Sequence, residues 1–79
     1  MATIATALNT PFTPAAGDFI VQCSAGIAEV QRSNDVDAPW VSVGIITGNQ
    51  APIISNPVAG ARYQFVQVGS ITPVVQADQ

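Results

Sequence analysis

Cys23 is the chain's one cysteine, and with no histidine among the 79 residues it has no imidazole to take its proton. Thiol catalysis needs a thiolate, made by a neighbouring base or by cationic surroundings. Cys23 instead lies in an alternating apolar pattern that predicts a small buried hydrophobe. The carboxylates offer a second chemistry: Asp18 with Glu29, or Asp35 with Asp37, could form the acid and base of a glycosidase. Each aspartate adjoins a turn signal, however, and a sandwich this small leaves little room for a substrate cleft, so solvated turn acids are expected. Ser33, Asn34, Asp35 and Asp37 set oxygen ligands at spacings a calcium loop uses. The glycine at the sixth loop position and the distal bidentate glutamate are missing, which predicts a plain loop. A structural zinc site needs four Cys or His ligands, which this chain does not have. No enzyme activity, metal or cofactor is expected.

Trp40 and Tyr63, the single Trp and Tyr, can form a sugar-stacking platform or an interface anchor. A small domain also needs large core residues, and core packing is the expectation for Trp40. Arg62, beside Tyr63 at a strand start, either pairs with an acid of a neighbouring subunit or stands as an edge arginine in water.

Five acids against two arginines leave a net charge of −3, and there is no basic run. Nucleic-acid binding draws its affinity from clustered Lys and Arg on phosphate, so nucleic acid is not an expected partner. The longest apolar runs, such as 41–46 with Ser42 in it, fall far short of the roughly 20 residues that span a bilayer. Residues 1–9 carry neither a basic n-region nor an apolar h-region. Neither membrane nor secretion is expected, and a reducing cytoplasm suits an unpaired Cys23. At this length a single core supplies only about 3–5 kcal/mol of net stability. With no disulfide or zinc to add to it, oligomerisation or docking on a larger body is the expected supplement.

The elements that must position these residues are strands. Val, Ile and Thr are abundant and the single Leu is Leu8, while six prolines and six glycines cut the chain into short pieces. Residues 19–24 alternate Phe19, Val21 and Cys23 against Ile20, Gln22 and Ser24. A turn at 24–26 returns the chain through 27–32, predicting a hairpin. Residues 33–39 are an expected loop. The strand at 40–47 is apolar on both faces, which predicts a central strand or one buried by a partner. After a loop at 48–52 come a very short strand at 53–55, a turn at 56–60, and 62–68, where Tyr63 and Phe65 share a face. A turn at 69–70 leads into 71–77. The stretches 21–31 and 66–75 echo each other as strand, turn, strand, which predicts two similar hairpins. The whole predicts an all-β fold, a small antiparallel β-sandwich or barrel. Residues 1–14 form an extended N-terminal arm or edge segment and 15–79 a single β domain.

Soluble sheets protect their edges with charge, lysine above all, and this chain has no lysine. Its edges are therefore expected to be paired, capped by the Pro-rich segments, or covered by another chain.

The strings 14–21 (PAAGDFIV), 30–35 (VQRSND), 39–43 (PWVSV) and 61–66 (ARYQFV) resemble small β-sandwich virion proteins of tailed bacteriophages, and most of all capsid cement or decoration proteins. The resemblance covers roughly residues 12–76 of the chain. It implies a structural protein on the outer capsid surface, assembled in the host cytoplasm, whose partner is the major capsid protein and which self-associates, with a trimer favoured. On that reading residues 1–14 lie on a neighbouring chain through Ile4, Leu8 and Phe12, with Arg62 as a further partner contact. The alternative is a carbohydrate-binding or adhesion module of a phage head fibre or tail, with Trp40 and Tyr63 stacking on sugar.

Overall fold

The computed structural model describes residues 1–35, 37–57 and 59–79; Val36 and Val58, inside two of the expected loops, lie outside the described residues. Short runs of alternating apolar and polar residues, cut by Gly and Pro, form seven strands and, among the described residues, no helix. They are β1 (Thr3–Ala5), β2 (Phe19–Ala25), β3 (Ile27–Ser33), β4 (Val41–Thr47), β5 (Ile53–Ile54), β6 (Arg62–Gln67) and β7 (Val74–Asp78). Two antiparallel sheets result, in the orders β1-β7-β2-β5 and β4-β3-β6. The fold is a small β-sandwich.

Alternation decides what is buried between the sheets. Phe19, Val21 and Cys23 of β2 pair in register with Ile54, Ala77 and Val75. Together with Val75 and Ala77 they face Ala28, Val30, Ile46, Tyr63 and Phe65 of the other sheet. Phe12 closes one side, stacked on Phe65 at 5.6 Å and edge-on to Phe19 at 6.1 Å between ring centroids. Phe19 in turn meets Tyr63 edge-on at 4.8 Å. Such offset and T-shaped pairs suit the ring quadrupoles and add to the area they bury.

The expected hairpin over 19–32 is not formed. β2 pairs with β5 and β7, whereas β3 pairs with β4 and β6. Gly26 turns the chain from one sheet into the other, at a φ of 73° that favours glycine. A Cβ there would lie 2.9 Å from the Pro73 Cα, so the corner is closed by the β6–β7 connection crossing it. The echo between 21–31 and 66–75 has a related outcome. Each repeat is a corner with one strand in each sheet, and the two corners pair with each other as β2 on β7 and β3 on β6.

The N-terminal segment runs along both sheets. β1 lies on β7, with Ala2 and Gln79 exchanging backbone hydrogen bonds at 2.9 Å. Further on, Phe12 and Tyr63 exchange a pair at 2.8 Å, and the Asn9 N–H donates to the Phe65 carbonyl at 2.8 Å. The outer edge of β6 is thereby covered by residues 8–12.

Candidate partner-docking surface

Chemistry is favoured by an enclosed place, and two of the depressions among the described residues are shallow. Depressions of 260 Å³, beside Gln22, Cys23 and Gln50, and of 230 Å³, beside Ile27, Val68 and Ile71, fall below the roughly 300–1,000 Å³ of ligand pockets. Cys23 is buried, and its thiol lies 3.1 Å from the Ala25 carbonyl at the corner. Among the described residues no three acids or thiols come together as a metal site.

The outer faces of the two sheets arrange their polar and apolar groups differently. On the four-stranded sheet, cross-strand register sets Gln22 opposite Gln76 and Ile20 opposite Asp78. Gln22 Nε2 donates to Asp78 Oδ2 at 2.6 Å and Gln76 Nε2 to Oδ1 at 2.8 Å. These donors, that of Gln76 foremost, hold the Asp78 carboxyl below its usual range. That face carries a polar ladder already hydrogen-bonded to itself, flanked by Val74 and Ile53, which are 58 and 66 % exposed.

On the three-stranded sheet, register sets Glu29 between Ile45 and Val66, and Gln31 between Ser42 and Gln64. Gln64 donates to Gln31 at 2.8 Å, and Gln31 donates to Glu29 at 2.5 Å, so the one acid in the row is held by an amide. Toward the Gly26 corner the face turns apolar, through Ile45 (58 % exposed), Ile27, Val68 and Ile71 (65 % exposed). At the opposite end the Arg62 guanidinium lies 5.2 Å over the Trp40 ring. This face combines exposed aliphatic groups, neutral amides and a cation–π pair, the composition of a protein-docking surface.

The sheet edges differ as well. β1 and β5 are three and two residues long, and the edge of β6 is covered. β4 is a seven-residue edge strand without a charge, and Val41, Val43 and Ile45 are 50, 41 and 58 % exposed. Of the two expectations for this strand, central or buried by a partner, the first is not met, because β4 is peripheral. Its apolar character on both faces comes from Ile46 in the core on one side and aliphatic residues in solvent on the other.

Several sequence-predicted residues serve the fold itself. Ile4, Leu8 and Phe12 are half-buried against the core of their own chain. Arg62 reaches Trp40 and, at 3.4 Å each, Ser33 Oγ and the Asp35 carbonyl of its own chain. Trp40 is half-buried outside the core, whose aromatic members are Phe19, Tyr63 and Phe65 with Phe12 packed on them. Tyr63 is fully buried, so it cannot share a sugar-stacking platform with Trp40. Burial raises the Tyr63 phenol above its ordinary value, partly offset by the charge of Arg32.

Two buried polar residues, Ser33 and Asn56, stand in turn-forming sequence. Asn56 Nδ2 donates to the Ala15 carbonyl at 2.7 Å while its Oδ1 accepts from the Tyr63 hydroxyl at 3.2 Å. The Ser33 hydroxyl lies 2.7 Å and 2.9 Å from the Asp35 and Ala38 carbonyls and gathers in that loop. Asn-Pro and Ser-Asn-Asp signal turns, and nothing local marks the first residue of each as buried.

No family model matches the chain, nor does any curated protein or solved structure.

Proposed function

We propose that this chain is a structural virion protein, a cement or decoration module that sits on the outer surface of a phage capsid and bridges major capsid protein subunits. The observation that carries the reading is the outer face of the three-stranded sheet, where Ile27, Val68 and Ile71 are exposed beside neutral amides. The virion phrases quoted from the sequence point the same way. An apolar, nearly uncharged face on a domain with shallow depressions suits broad contact with another protein, and its work there is mechanical. Apolar contact across subunit junctions opposes separation of the shell. Docking falls to this sheet face because the N-terminal segment already lies on its own domain.

Co-sedimentation of the purified chain with shells of major capsid protein assembled without it tests the reading. Wild type is expected to pellet with the shells and raise their dissociation temperature, and Ile71→Asp to remain in the supernatant while keeping its β-sheet circular dichroism. Wild-type protein left wholly in the supernatant would overturn it.

A further inference from the structure

Of the four sheet edges, three are disarmed: two by shortness and one by the segment at residues 8–12. β4 alone is long, and its sequence, VSVGIIT, is uncharged and rich in β-branched residues. Gln50 takes the Thr47 N–H and carbonyl at the end of β4, and the row of edge backbone groups before it is a template for another strand. We propose that β4 pairs antiparallel with β4 of a second copy about a two-fold axis at Gly44, joining the two three-stranded sheets into one sheet of six.

The second copy is favoured by self-complementarity. An axis at Gly44 sets Val43 opposite Ile45 of the other copy, twice, and these are exposed β-branched residues of the kind that stabilise cross-strand pairs. Gly44 leaves the axis clear, since nothing lies within 4 Å of where its Cβ would stand. Charge selects the direction. Asp35 and Asp37 lie in the loop leading into β4, beyond Val41, and no charged residue occurs between Trp40 and Arg62. A parallel pair would bring the acidic loops of two chains of net charge −3 to the same end. The antiparallel pair places each loop beside the neutral Thr47–Gly48–Asn49 end of the other copy. Register slips by one between Val30 and Gln31, where the β4 partners pass from Gly44 to Ser42. The extra residue, Val43, twists β4 and makes a long parallel stack of such edges harder to propagate than one closed pair.

The inference is independent of the shell-binding reading, because it is tested on the free protein. Light scattering is expected to give twice the 8.1 kDa chain mass. Val43→Lys is expected to weaken association at least tenfold without loss of β-sheet circular dichroism, and Ile53→Lys on the short β5 edge to leave it unchanged. Gly44→Cys is expected to form a disulfide-linked dimer with oxidised glutathione, since residues on the axis face their own copies at bridging distance. Wild type, with Cys23 buried, is expected to form none. A monomer at all concentrations, a trimer, a dimer indifferent to Val43→Lys, or a Gly44→Cys dimer that does not cross-link would each overturn it.

Discussion

Replacing Asn56 by alanine removes the amide that ties the 14–17 segment to the core. Asn56 is fully buried, and its side chain serves the Ala15 carbonyl at 2.7 Å and the Tyr63 hydroxyl at 3.2 Å. A buried group left without its partner costs about 1–3 kcal/mol. Both partners keep a second contact: the Tyr63 hydroxyl has the Ser55 carbonyl at 3.5 Å, and the Ala15 carbonyl has Gln79 Nε2 at 2.9 Å. The low end therefore applies to each, and with the small void left behind the loss comes to about 2–3 kcal/mol. Against a reserve of about 3–5 kcal/mol for a core this size, that is most of the stability, and Tm should fall by roughly 10–20 °C. Thermal unfolding followed by circular dichroism measures it. Tyr63→Phe should cost about 1 kcal/mol, and the double variant should fall short of additivity, because the two groups are partners. A loss under about 0.5 kcal/mol for Asn56→Ala, within the range of ordinary surface changes, would refute the clamp.

Gly26→Ala should destabilise more than Gly69→Ala. Both glycines have positive φ, worth about 1–2 kcal/mol against alanine, but only at Gly26 does the new Cβ meet backbone, 2.9 Å from the Pro73 Cα. Equal losses in urea titration would mean that the Pro73 contact is not tight. Tyr63 should ionise above its ordinary value, because burial disfavours the phenolate. Its contribution is then complete below about pH 10 and is lost as pH rises through the raised folded value. Phenolate absorbance of this single tyrosine should therefore rise together with loss of structure, and a normal titration in an intact fold would contradict its burial.

The core was legible because alternation reports it directly. The sets Phe19, Val21, Cys23 and Tyr63, Phe65 each share a face in the sequence, and each is buried. What pattern could not supply was which strand lies beside which. Ser24-Ala25-Gly26 between two alternating runs has the length and chemistry of a hairpin turn, yet the switch between sheets is decided by Pro73, nearly fifty residues on. The place of Trp40 outside the core is not legible for a similar reason. Its size argued for the core, but Phe12, coming from a Pro-flanked segment that carries no strand signal, fills the space beside Phe19 and Phe65. Of the docking face, the apolar character of 41–47 was visible, while its position at an edge was not. Asn56 and Ser33 were hidden for the same physical reason, since a polar side chain is buried only when distant backbone comes to satisfy it.

Charge scarcity and topology bear on each other. A chain without lysine cannot guard its sheet edges by repulsion, so it must close them with its own backbone. The 1–12 segment does this for both sheets, lying on β7 and then on β6. In doing so it also supplies Ile4, Leu8 and Phe12 to a core that is small for independent stability. That segment can cover only one end of each sheet order, and at the far ends lie β5, too short to template a partner, and β4, which is not. The same economy of charge leaves the β4 edge and the face beside it with two charges, Glu29, held by Gln31, and Arg62, over the Trp40 ring. A surface of that kind loses little on desolvation when it meets another neutral surface. The association proposed for β4 and the docking proposed for the adjoining face thus draw on one sequence property, and they can be separated because Val43 lies at the edge and Ile71 at the Gly26 corner.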